Sequence, residues 1–175
     1  MKLIEAMKSV KELKRKSSDL RDKVKMFCAD YEHENPAYGD KQKEQIKSWL
    51  DSHRDIVKQI LDLKLKIQKT NISTLVTITL DGKDVEQSIS AWILRRGQGV
   101  DLYGLAHEEL AMWSQLTDRG LKEGKAASST GVIETKIRRY YDPALRDRMK
   151  ELYISEPQII DATLEVVNAR TDLVE

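Results

Sequence analysis

Few side chains in this sequence can act as metal ligands, nucleophiles or proton carriers. His33, His53 and His107 lie in three separate segments, and Cys28 is the single cysteine. A metal centre, or a nucleophile with its base, needs such groups to converge. Cys28 and His33 stand five apart, off the three-or-four spacing that brings two helical residues to one face. They read as a partly buried thiol and an unrelated imidazole. His53 interrupts an apolar stripe, so it reads as a hydrogen-bonded or interface residue that sets register rather than as a ligand. Gly97-Gln98-Gly99 begins like a dinucleotide fingerprint, but position 102 is Leu and the surrounding pattern is helical, so the fingerprint fails. Gly124-Lys125-Ala126-Ala127-Ser128 lacks the first glycine of a phosphate loop, since position 119 is Arg. Asn71-Ile72-Ser73 matches a glycosylation acceptor but reads as the end of a helix ahead of a strand. The expectation is of no catalytic residue, no metal and no cofactor.

One charged segment has binding chemistry. Lys136, Arg138, Arg139, Arg146, Arg148 and Lys150 surround Tyr140 and Tyr141, opposed by Asp142 and Asp147. Basic side chains neutralise phosphates and tyrosines stack on bases, so nucleic-acid binding through this segment is the alternative functional reading. The same residues also suit a solvated face or interface pairs. The chain as a whole has 30 Lys and Arg against 29 Asp and Glu, and a net charge of +1 produces no field that would draw in nucleic acid or a membrane.

A single cysteine excludes an intrachain disulfide and fits a reducing interior. Met1-Lys2-Leu3-Ile4-Glu5 meets charge within its first turn, and the longest uncharged run, Thr70 to Leu80, is too short and too rich in Thr and Ser to span a bilayer. Neither export nor membrane contact is expected. The expected location is the cytoplasm, or a particle assembled there.

The elements that would position these groups follow from periodicity. Charged residues make up 34% and aromatics 6%, a mix that suits long amphipathic helices. Leu3, Met7, Val10, Leu13, Ser17, Leu20, Val24, Phe27 and Tyr31 recur at steps of three and four, with one extra three-step near Leu13. They predict a helix over about 2–34 that stops before Asn35-Pro36. Asp40 caps a second helix over about 40–71, whose stripe Ile46, Trp49, His53, Ile56, Ile60, Leu63 and Ile67 alternates three and four without a slip. This stripe is the candidate helix-packing or oligomer interface, and Leu50, Val57 and Leu61 widen it toward more than one neighbour. The two helices should form an antiparallel hairpin.

The period then changes to two. Val76, Ile78 and Leu80 face one way and Thr77 and Thr79 the other, and Asp81-Gly82 is a turn signal, so strands are expected over about 74–80 and 84–87. Ser88 opens a third helix over about 88–118, with a break or a close helix contact at Gly97, Gly99 and Gly104. Gly120 to Gly131 reads as a mobile loop. A strand over about 132–140 should join the first hairpin. Asp142 and Pro143 start a fourth helix over about 143–170 that kinks at Pro157 and continues.

The long helix running into Gln68-Lys69-Thr70-Asn71 with Thr74, Ile133-Glu134-Thr135-Lys136-Ile137, and Asn168 with Thr171-Asp172-Leu173 resemble a bacterial family of unknown function that carries the name septicolysin. The resemblance covers most of the chain. It implies a helical bundle with a small β element and brings no activity or catalytic residue. The stretch from Gly97 to Gly104, the glycines after Gly120, and Pro157 depart from it.

The expectation is therefore a single mainly α domain over 1–175, a long helical hairpin or four-helix bundle with a sheet of two or three strands. Its expected role is non-enzymatic, as a homo-oligomer or with protein partners in a larger particle, a viral or phage structural component being one such particle. His53 should hydrogen-bond across the helix 2 seam, because a buried imidazole without a partner is costly. His53→Leu should then keep or raise the melting temperature while broadening the distribution of oligomers, checked by circular dichroism and analytical ultracentrifugation. A large fall in melting temperature with unchanged assembly would make His53 an ordinary structural residue.

Overall fold

Eight positions set the first helix on an unbroken alternation of three- and four-residue steps: Leu3, Ala6, Val10, Leu13, Ser17, Leu20, Val24 and Phe27. The computed structural model describes residues 1–31, 33–96, 105–128 and 131–174, with the backbone alone at 105–109, 126–128, 131–133 and 135. Helix α1 spans Leu3–Phe27. Leu3, Ala6, Val10 and Ser17 are buried, whereas Met7, expected in the stripe, is exposed. With Ala6 in its place the extra three-step near Leu13 disappears. Glu5 closes the first turn by accepting the Lys2 N–H at 2.8 Å.

The helix ends at Phe27, well before the expected stop ahead of Pro36. An early exit lets the chain return, after a 3-10 turn at Gly39–Lys41, so that Tyr38 packs against Phe27 and Trp49 with ring centroids 5.5 Å away. Helix α2 spans Gln42–Ser73, about 48 Å at about 1.5 Å per residue. Asp40, the expected cap, lies in the 3-10 turn; the N-cap is Lys41, without a side-chain cap bond, and Gln42 at the first helical position ties the turn to the end of α1. Its side-chain amide accepts the Tyr38 N–H at 3.0 Å and donates to the Phe27 carbonyl at 2.7 Å. Contacts of Phe27 with Trp49, and of Leu20 and Val24 beside Leu50 and His53, make the pair antiparallel, as expected.

The chain divides into two compact units, the first comprising Met1–Thr74 with Val166–Glu175. In this unit the Leu3 N–H donates to the Thr171 carbonyl and the Leu173 N–H to the Met1 carbonyl, each at 2.9 Å, and Lys2 Nζ pairs with Asp172. Thr70, fully buried, donates to the Lys66 carbonyl at 2.8 Å and accepts the Val174 N–H at 3.0 Å. Lys2, Leu3, Thr70, Thr171, Asp172 and Leu173 thus meet at one end of the helix pair.

The second unit, Leu75–Glu165, opens with β1, Leu75–Leu80, antiparallel to β2, Lys83–Ser88. Val76, Ile78 and Leu80 are buried and the residues between them exposed. Asp81 and Gly82 have φ of 51° and 74°, the conformation that a tight hairpin turn requires at both central positions. The Ser88 hydroxyl accepts the Ala91 N–H at 3.2 Å and starts helix α3, Ile89–Arg95. Trp92 has no exposed surface, and its Nε1 donates to the Val76 carbonyl at 2.9 Å. Helix α4 spans Leu105–Ser114, so the expected third helix is two helices, and the expected break at Gly97, Gly99 and Gly104 lies outside the described residues.

Strands β3, Gly124–Ser128, and β4, Gly131–Thr135, pair antiparallel in a second two-stranded sheet. Part of the expected loop is therefore a strand, because backbone ladder bonds supply what its alanines and serines cannot. β4 is shorter than the expected 132–140 and pairs with its neighbour in sequence instead of with the first hairpin. Helix α5, Pro143–Arg170, is capped by Asp142, whose Oδ1 accepts the Ala144 N–H at 2.9 Å, and runs through Pro157. Its first part carries Glu156, almost fully buried against Arg95. The chain is mainly α, with a long helix pair and a small β element.

Trp92→Phe keeps most of the packing and removes the indole donor to Val76, so it should lower unfolding stability by about 2 kcal/mol. Urea denaturation followed by circular dichroism measures this, and a loss below about 0.5 kcal/mol would show that the bond contributes nothing net.

Candidate functional site

The seven residues of the expected interface all occupy the less exposed side of α2, but Trp49 alone among them is buried; Ile46, His53, Ile56, Ile60, Leu63 and Ile67 remain half-buried. Among the described residues the widening residues stay exposed. Leu50, Val57 and Leu61 are 50%, 46% and 58% exposed, and Leu65 and Ile72, 50% and 67% exposed, extend the same row. A single partner helix covers one side of α2, and this row turns away from that side.

His53 lies on the flank of the pair in a recess of about 240 Å³, between Leu20, Arg21, Val24 and Lys25 of α1 and Leu50 of α2. Among the described residues its imidazole has no hydrogen-bond partner, contrary to the expected bond across the seam. Half-exposed beside an open recess, the imidazole lies within reach of solvent. A larger recess, about 530 Å³, opens at the turn between α1 and α2 against Met26, Phe27, Tyr31 and Asn35. His33 stacks on Tyr31 with centroids 5.5 Å apart. Cys28 is exposed, not partly buried, because α1 ends one residue before it. The side chain of His107 lies outside those described. Among the described residues no group of three or more His, Cys, Asp or Glu is placed to hold a metal ion, and no helix is long and apolar enough to cross a membrane.

The basic segment is extensively ion-paired. Arg139 binds Asp118 through two hydrogen bonds, at 2.8 and 2.7 Å, and lies 3.6 Å from Glu123. The Tyr141 hydroxyl donates to the same Asp118 at 2.9 Å and accepts from Arg146 at 3.2 Å. Arg146 also pairs with Asp147 at 2.7 Å and lies over the Tyr141 ring. Arg148 forks onto Asp81 at 2.6 and 2.7 Å, and Lys136 pairs with Glu134 at 3.5 Å. Arg138 and Tyr140 project into solvent. Sequence reasoning missed Asp118, the centre of this network. Its position after α4 carries no motif, and the one available signal was that the basic residues after 135 outnumber the acidic residues near them.

These features define a mainly α chain whose long helix pair exposes an apolar row. No protein-family model and no curated protein sequence matches the chain. It is similar in fold to the crystal structure of a functionally unknown conserved protein from Corynebacterium diphtheriae, at 20% identity over 99% of each chain and a TM-score of 0.57. At that identity the likeness is one of fold alone.

The Arg139 hydrogen bonds, and after them that of Tyr141, hold the Asp118 carboxyl at about 2, below its ordinary 3.8. A depressed carboxyl contributes stability that is present above its ordinary value and lost as pH falls toward the folded one. The melting temperature of wild type should therefore fall more steeply between pH 3.8 and about 2 than that of Asp118→Asn, which should be less stable near neutrality. Parallel slopes in the two melting series would show that the network does not couple to folding.

Proposed function

We propose that this chain is a non-enzymatic assembly protein, working in the cytoplasm or in a particle built there, whose helix pair is completed by a helix of another molecule. The observation that carries this reading is the row Leu50, Val57, Leu61, Leu65 and Ile72, exposed along most of α2 beside a seam whose own residues, Trp49 apart, stay half-buried. Five large aliphatic side chains aligned on one helix face are a larger apolar exposure than scattered surface residues explain. A homo-oligomer and a building block of a larger particle, such as a viral or phage structural component, both satisfy it. The resemblance to the septicolysin-named family enters as a shared scaffold and adds no activity. The ion pairs of Arg139, Arg146 and Arg148 favour assembly over nucleic-acid binding, since phosphates would first have to displace carboxylates.

Size-exclusion chromatography and sedimentation velocity test this reading, on purified protein at micromolar concentration and on the lysate of the cells that make it. Wild type should run above the 20.1 kDa monomer in at least one of these settings, and Leu50→Ser with Leu61→Ser should return it to the monomer position. A wild type that is monomeric in both would sink the proposal.

A further inference from the structure

The charges beside the exposed row are sorted. At 3.6 residues per turn, Lys43, Lys47, Arg54, Lys58 and Lys64 fall on the same side of α2 as Leu50, Val57, Leu61, Leu65 and Ile72. All four acidic residues of the helix, Glu44, Asp51, Asp55 and Asp62, fall on the flank beyond it together with the remaining two lysines, Lys66, which pairs with Asp62 at 3.5 Å, and Lys69. All five basic residues on the side of the row are exposed, and of these only Arg54 reaches across to a carboxylate, Asp51, at 3.5 Å. The recess on this flank extends the pattern onto α1, since its other wall carries Arg21 and Lys25 beside Leu20 and Val24. Residues 1–74 contain 17 Lys and Arg against 12 Asp and Glu, while residues 75–165 contain 12 against 15. The near-neutral total therefore hides a basic helix pair.

We infer that this basic, apolar face is the docking site for an acidic amphipathic helix of another protein, one with aliphatic residues along one side and carboxylates at its edges. The inference rests on the assembly reading and names the partner's chemistry. A helix fits because the aliphatic row runs along α2 from Leu50 to Ile72, about 33 Å or three heptads at about 1.5 Å per residue, with the recess between the two helices at its Leu50 end. A second copy presenting the same face is disfavoured, because it would set lysines against lysines. A flat lipid surface would not reach the recessed Leu20, Val24 and His53, and a phosphate backbone offers nothing to five exposed aliphatic side chains.

The test uses the full chain and a fluorescent three-heptad amphipathic peptide with leucines along one face and glutamates flanking them, beside a twin with lysines in place of the glutamates. Fluorescence anisotropy should give a micromolar Kd for the acidic peptide, about tenfold tighter than for its twin. Lys58→Glu with Lys64→Glu should reverse that preference, an outcome that misfolding cannot produce, and Leu61→Ser should weaken binding of the acidic peptide about tenfold. Binding of neither peptide, or equal binding of both, overturns the inference. Dimers of wild type that Leu61→Ser abolishes, without peptide binding, would make a second copy the occupant and leave the assembly reading standing. Binding to phosphatidylserine vesicles or to duplex DNA in place of the acidic peptide would also overturn the inference, in favour of that surface. Monomeric behaviour in buffer and lysate together with no peptide binding would remove both proposals.

Discussion

Two helices packed side by side can hide only a narrow strip of each from water, and the first unit is organised around that limit. The strip on α1 is an unbroken run of three- and four-residue steps, yet the matching strip on α2 is mostly half-buried, with Trp49 the one member that is closed off. Burial along the seam alone is thus a thin source of stability for a pair this long. The pair is fastened near its ends instead. At one, Gln42 bridges Phe27 and Tyr38 beneath an aromatic cluster; at the other, Thr70 receives the Val174 N–H in a site closed to solvent. Each fastening satisfies backbone groups that the helices or the chain beside them would otherwise leave open.

The second unit solves a different problem, how to hold two small hairpins that are marginal alone. Trp92 packs beneath β1 and ties its indole to the strand's backbone. Charged side chains do the longer-range work: Arg148 reaches the β1–β2 turn at Asp81, and Arg139 and Tyr141 converge on Asp118. Paired carboxylates and guanidinium groups specify partners by fork geometry, which apolar contacts between such small sheets could not do. The segment that looks most like a binding patch in sequence is therefore largely occupied by the fold itself.

What could be read from the residues was what periodicity and turn chemistry control. The α2 stripe, the β1 alternation, Asp81-Gly82, Ser88 and Asp142 all do in the structure what their local physics dictates. Misreadings came where a distant residue decides. The end of α1 depends on Tyr38 and Gln42 closing over Phe27, which outweighs the absence of a stop signal at residue 28. Large apolar side chains alone place Met7 in the α1 stripe, whereas the three-four rhythm points to the small Ala6, which is the buried one. β3 was invisible because Gly124 to Ser128 has almost no strand propensity and takes its form from β4. Asp118 was missed because its partners lie more than twenty positions away.

The division of the chain has a consequence in time. The first unit is discontinuous: residues 1–74 are joined by 166–175, with the whole of the second unit between them in sequence. On a ribosome the α1–α2 hairpin emerges before the second unit, but the Leu3, Lys2 and Thr70 partners at Thr171, Asp172 and Val174 are made after it. Closing a contact across that separation waits on synthesis and carries a loop-entropy cost that local contacts escape. During that interval the half-covered hairpin stands with one end unlatched and its aliphatic row in water. A nascent chain in that state offers its aliphatic row to whatever apolar surface is near before the latch can form, so the order of synthesis sets how long that exposure lasts.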